Sequence, residues 1–161
     1  MNQKIPIEMI VNGNTIQAEI EPRRHLVDFL REDLGLKGPH LGCEQGACGA
    51  CTVRVDGQIV RGCLYLAVQA NGKVVDTVEG LTAQGVLTAL QNAFLRRNAM
   101  QCGFCSSGML LSAAELIEQR PEATREQVRE WISGNYCRCT GYHSIVDAIM
   151  NVLEAQREQT E

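Results

Sequence analysis

Apolar residues change period near the middle of the chain. Ile5, Ile7, Met9 and Val11 alternate with Pro6 and Glu8, which predicts a half-buried strand with Ile10 as its ambiguous position. Asn12-Gly13-Asn14 predicts a turn and residues 15–20 a returning strand, together a hairpin. Glu21-Pro22 then opens a predicted helix, with proline early, where its missing N–H does no harm. Leu26, Phe29, Leu30 and Leu34 stand at helical spacing, and Gly35 closes the helix. Beyond a cysteine-rich loop, residues 52–55, Asp56-Gly57 and residues 58–61 predict a second hairpin, and residues 73–78 a last strand.

From Leu81 onward the spacing is helical. Leu87, Leu90, Phe94 and Leu95 mark one helix, and Met109, Ala113, Leu116 and Ile117 a second, which Pro121 follows. Thr124 with Gln127 forms a capping box ahead of Val128, Trp131 and Ile132, and Gly134 ends this third helix. Ile145, Ile149, Val152 and Leu153 mark a fourth. The predicted class is α+β: a sheet domain over residues 1–79 and a helical domain over residues 80–161. Their boundary at Glu79-Gly80 has no Pro/Gly/Ser-rich linker, so the halves are expected to pack together. By analogy, the order of elements in the first half resembles the ubiquitin-like β-grasp arrangement.

Composition sharpens this picture in three places. Hydrophobic residues make up 45% of the 161 and charged residues 21%, the balance of a folded chain. Aromatics are only 4%, so two small domains would have thin cores to which a cross-linking metal site adds stability. Net charge is −4 and the basic pairs Arg23-Arg24 and Arg96-Arg97 stand isolated, which gives no footprint for nucleic acid. The amino-terminal stretch from Met1 to Val11 lacks an uninterrupted apolar run, so neither a signal peptide nor a membrane span is expected, and a cytoplasmic location is. Eight cysteines in such a compartment point to metal or cluster ligation before disulfides.

Cys43, Cys48 and Cys51 sit in one loop, and Cys63 follows a hairpin later. This is the C-x4-C-x2-C…C spacing of plant-type [2Fe-2S] ferredoxins. Gly42, Gly46 and Gly49 let such a loop wrap an inorganic core with its N–H groups turned inward. Those donors are needed: the oxidised core with four thiolates carries two negative charges, and one-electron reduction adds a third. A structural zinc site favours two paired knuckles and fits this spacing less well.

The second set is less specific. Cys102 and Cys105 precede the second predicted helix, where the helix dipole favours negative charge. Cys137 and Cys139 lie between the third and fourth helices, and an extended backbone there would aim both thiolates to one side. Four thiolates in two pairs also describe a zinc site. The first set favours a second cluster, because two neighbouring one-electron sites make a wire.

Three stretches carry a likeness to a known family: residues 42–53 (GCEQGACGACTV), residues 101–105 (QCGFC) and residues 134–142 (GNYCRCTGY). They resemble the iron–sulfur small subunit of the molybdenum hydroxylases, the xanthine dehydrogenase family. The likeness is nearest to the separate small subunits of bacterial carbon monoxide dehydrogenase and N-heteroaromatic oxidoreductases. It implies a β-grasp domain followed by a four-helix bundle, each with one [2Fe-2S] cluster. It also implies a large subunit with molybdopterin, expected in the cytosine dinucleotide form, and a medium subunit with FAD, in a heterotrimer or a dimer of heterotrimers. Electrons would leave molybdenum through the cluster of Cys102, Cys105, Cys137 and Cys139, then that of Cys43, Cys48, Cys51 and Cys63, to FAD. Gln101 matches a residue that approaches the pterin; a loop hydrogen bond is its alternative role. Where many relatives carry Thr-Pro after the second motif, this chain has Ser106-Ser107, and serine is expected to cap the helix.

Other residues are assigned no ligand role. His25, His40 and His143 read as surface or packing residues. Arg138 either raises a neighbouring potential by its charge or is a solvated or salt-bridging side chain. Trp131 reads as core, and the Met109-Leu110-Leu111 run as core or subunit interface. No nucleophile triad, phosphate loop or nucleotide fingerprint is present, so no substrate chemistry is expected in this chain. A free ferredoxin-like carrier is the competing function; it would need only the first cysteine loop.

Overall fold

The computed structural model describes residues 4–159, so the first three residues of the amino-terminal stretch lie outside it. Strands β1 (Ile5–Val11) and β2 (Asn14–Ile20) form the expected hairpin. Its two-residue turn needs left-handed backbone twice, at Asn12 (φ 50°) and Gly13 (φ 82°), which suits Asn-Gly. Strands β3 (Thr52–Val55) and β4 (Gln58–Arg61) repeat the device with Asp56-Gly57. With β5 (Val74–Asp76) they make one five-stranded sheet in the order β2-β1-β5-β3-β4. β1 runs parallel to β5, and the other pairs are antiparallel. Ile7, Met9 and Val11 face inward as the alternation predicts, but Ile5 stays exposed at the start of the strand.

The first helix begins four residues later than Pro22 suggests. α1 (Leu26–Asp28) opens after His25 because the preceding backbone is committed elsewhere. His25 bridges to Leu66, Ala67 N–H donates to Arg24 O, and Leu26 N–H donates to Tyr65 O at 2.7 Å. After one turn the helix widens into a π-helical segment (Phe29–Asp33), with Leu34 N–H reaching Phe29 O. Leu26, Val27, Phe29 and Leu30 are all buried.

The last strand is shorter than predicted. The side chain of Asn12 takes the N–H of Thr77 and donates to its hydroxyl, which ends pairing and turns the chain into an unpredicted helix, α2 (Val78–Ala83). Gly80 is required there, since a Cβ would fall 2.2 Å from Asn12 Oδ1. The four anticipated helices follow as α3 (Thr88–Arg96), α4 (Ser106–Gln119), α5 (Arg125–Ile132) and α6 (His143–Glu158). Thr124 and Gln127 do form the capping box. Two apolar cores result, one under the sheet around Phe29 and Val53, and one among the helices around Phe94, Leu116 and Ile149. Met109, Leu110 and Leu111 belong to the helical core, whereas Leu95, one of the residues whose spacing marks α3, is 60% exposed. Trp131 lies at the rim, its indole N–H on Ser112 O and Arg120 over its ring. Among the described residues no helix is long and apolar enough to cross a membrane.

Candidate metal centres

Pairing Thr52 with Arg61 closes the β3–β4 hairpin, so Cys51 and Cys63 meet at the same end of it. Gly62 N–H donates to Cys51 O at 3.1 Å, and both cysteines are buried with Val27. Cys43 and Cys48 complete the group from the loop before β3, which takes left-handed backbone at Glu44, Gly46 and Gly49. The N–H groups of Cys48 and Gln45 both point at Cys43 Sγ, each at 3.4 Å. These donors, Cys48 foremost, pull the Cys43 thiol down to about 6. Burial pushes Cys51 up to about 11, and the neighbouring sulfurs of Cys63 and Cys48 add to it. The contacts link the four in a series: Cys48 N–H is on Cys43 Sγ, and Cys51 lies near the sulfurs of Cys48 and Cys63.

The second group is assembled from two loops of the helical half. Cys105 is the residue that caps α4 at its amino end, and Cys102 lies one turn before it. Cys137 and Cys139 come from the α5–α6 loop, which bends over residues 138–140 where an extended stretch was expected. Cys139 Sγ lies 3.6 Å from Cys102 Sγ. Burial, and Cys137 beside it, pushes Cys105 up to about 12. Burial also works against the Cys137 thiolate, yet the Thr140 hydroxyl and N–H outweigh it and the thiol is lowered. Cys102 next to it raises Cys139. Gln101 is exposed and donates from Nε2 to Cys139 O at 3.0 Å, tying the two loops together.

The two groups are joined directly. Tyr136 N–H, one peptide bond from Cys137, donates to Cys48 O at 2.8 Å. Asn135, 2% exposed, donates to Gly49 O and accepts from Ser112 Oγ. Arg61 reaches across from β4 to Gly134 O at 2.9 Å. Phe104, between Cys102 and Cys105, stacks on His40 with ring centroids 4.6 Å apart.

The donor chemistry fits iron–sulfur clusters. All eight cysteines are free thiols, four in each group, and thiolate is the ligand such clusters take. Ser107 Oγ, in the first turn of α4 two residues beyond Cys105, is buried without a hydrogen-bond partner.

Residues 9–82 match the family described as 2Fe-2S iron–sulfur cluster binding domain, and residues 77–150 match the [2Fe-2S] binding domain. The nicotine 6-hydroxylase small subunit of Paenarthrobacter nicotinovorans is 49% identical over 93% of this chain and 90% of its own length. The caffeine dehydrogenase subunit gamma of Pseudomonas sp. (strain CBB1) is 46% identical over 91% of this chain and 89% of its own. A chain of quinoline 2-oxidoreductase from Pseudomonas putida 86 superposes with a TM-score of 0.88 at 48% identity, covering 97% of this chain and 98% of that one.

The chain belongs to the iron–sulfur small subunits of the molybdenum hydroxylases.

As a small subunit of that family it transfers electrons within an oxidoreductase complex. The expectation that serine caps α4 is corrected: Ser106 and Ser107 are the first two helical residues, both buried, and Cys105 holds the cap position. Arg61, Asn135, Ser112, Thr52 and the His40–Phe104 stack escaped the sequence reading. Their role lies in contact between the halves, which leaves no periodic pattern; the signals available were the proximity of Arg61 to Cys63 along the chain and the place of Thr52 and Asn135 within the stretches that carry the family likeness.

Proposed function

We propose that this small subunit relays electrons singly through two [2Fe-2S] clusters, one held by Cys43, Cys48, Cys51 and Cys63, the other by Cys102, Cys105, Cys137 and Cys139. When bound, the clusters supply a one-electron relay from molybdopterin on a large partner subunit, in its cytosine dinucleotide form, to FAD on a medium one. The observation that carries the reading is the joining of the two groups: Cys48 O takes the N–H of Tyr136, whose neighbour is Cys137. Residues 1–79 act as the β-grasp domain and residues 80–161 as the helical domain, whose four long helices form the bundle.

Each half contributes differently. The inward N–H groups at Cys43 stabilise negative charge on sulfur, which favours the reduced state. Exposed Cys102 and Cys139, with Gln101 beside them, leave the second group open on one side. That side faces the molybdopterin subunit, and the Gln101 amide, able to donate and accept, contacts the pterin. Expression in the cytoplasm and assembly as a heterotrimer, single or paired, complete the reading. A free carrier accounts for the first group alone, while the relatives are subunits of complexes.

Purification of the complex tests this. Two larger chains at fixed stoichiometry, about four irons and four sulfides per small subunit, and two distinct paramagnetic signals on reduction are expected. A colourless, zinc-containing chain or a monomer that reduces diverse acceptors would defeat it.

A further inference from the structure

Arg61 closes β4 two residues before Cys63, and its guanidinium is the cationic group that spans the junction of the two cysteine groups. It donates to the hydroxyl of Thr52, which follows Cys51, to Gly134 O at 2.9 Å, and to Asn135 Oδ1 at 3.5 Å. Thr52 and Asn135 are themselves buried, and Arg61 is half-buried. Arg23, Arg24, Arg54, Arg125, Arg129 and Arg157 all pair with carboxylates. Among the described residues Arg61 has no such pair. The buried carboxylate of Glu115 on the adjoining helix accepts from Ile59 N–H and forms no ion pair with it.

A cation withdrawn from water without a counter-ion is costly. Hydrogen bonds to a hydroxyl and two amide oxygens could be supplied by a neutral side chain. The positive charge itself needs a negative partner, and the charge developed at the two sites is negative: two units on each oxidised four-thiolate cluster, three when reduced. Its hydrogen-bond partners place the guanidinium against Thr52, the residue after Cys51, on one side and against Gly134, three residues from Cys137, on the other.

Resting on the two-cluster reading above, we propose that Arg61 is the shared counter-charge of both clusters, a positioning residue that holds the potentials of both up while fastening their loops together. The added electron on either site is stabilised by the same guanidinium. The effect is larger at the group of Cys43, Cys48, Cys51 and Cys63, to whose strands Arg61 belongs.

The test is a redox titration of the assembled complex, following the signal of each reduced cluster, in Arg61→Gln and Arg61→Lys. Arg61→Gln is expected to lower both potentials, at the nearer cluster by about tenfold in the reduction equilibrium, which is about 59 mV for a one-electron couple. Arg61→Lys keeps the charge but loses the planar fork, and is expected to restore most of the shift. Unmoved potentials in Arg61→Gln with both signals present would overturn the proposal, as would equal shifts in the two variants, which mark a merely structural strut. A wild-type complex with fewer than two signals would overturn the two-cluster reading and this inference with it. If Arg61→Gln fails to load its clusters, Asn135→Asp supplies the measurement: a carboxylate beside the guanidinium neutralises it in place, both potentials fall, and their constancy counts against the proposal.

Discussion

The two cysteine groups are built on opposite plans. The first is local: three cysteines within nine residues sit on a loop bent by left-handed residues, and a hairpin carries the fourth back to them. Cys51 and Cys63 are almost wholly covered. The second is distributed over two loops 32 residues apart by the numbering of Cys105 and Cys137, held by helix packing, with Cys102 and Cys139 exposed. A local site is specified by its own loop; a distributed one is only as exact as the core beneath it. The first group therefore depends on backbone conformation, the second on the helical core and on its contact with the first.

Substitutions that separate the plans should differ in kind. Cys63→Ala is expected to have the largest effect, removing one of two paramagnetic signals and about half of the iron while the other signal persists. Loss of both signals would show that the second group cannot stand without the first.

Gly108→Ala tests the contact between the plans. In an isolated helix alanine gains about 1 kcal/mol over glycine. Here the new methyl falls 2.2 Å from Gly49 O, so a net destabilisation of about 2 kcal/mol is expected in chemical denaturation. A stabilised variant would mean that the halves part readily. Asn135→Ala takes one donor from Gly49 O, which keeps the hydroxyl and N–H of Thr52, and leaves Ser112 Oγ without its acceptor; it is expected to cost about 1–3 kcal/mol, read the same way.

The smallest effect concerns acid. Lys73 holds Asp56 on the sheet half below the ordinary carboxylate range, as Arg125 holds Asp147 on the helical half. A depressed carboxylate contributes stability above its unfolded pKa and loses it as pH falls through the folded one. Both pairs are exposed, so Asp56→Asn and Asp147→Asn should each only slightly flatten the fall of Tm below about pH 4. A loss of Tm at acid pH as large as that at neutral pH would contradict the assignment.

The same contrast explains what could be read in advance. Asn12-Gly13, Asp56-Gly57 and the Thr124–Gln127 box are short-range devices whose geometry follows from residue type, and all three form as expected. The contacts of Cys48 with Cys43 and of Cys51 with Cys63 are short-range in the same sense, set by one loop and one hairpin. The late start of α1, the π-helical turn, helix α2 and the exposure of Leu95 depend on distant partners such as Tyr65 and Asn12. Ser106 and Ser107 were misjudged because Cys105 occupies the cap position they were expected to fill. Arg61 and Asn135 show no local pattern, since their meaning exists only once the halves have met.

One consequence follows from the bond between Cys48 O and Tyr136 N–H. Both partners are main-chain atoms, and the side chain of Tyr136 is 59% exposed. The bridge is therefore indifferent to which residue stands at 136, proline excepted, because proline alone lacks the donor. Evolution can rework the outer surface there to suit a new partner subunit without touching the span by which the two loops hold each other.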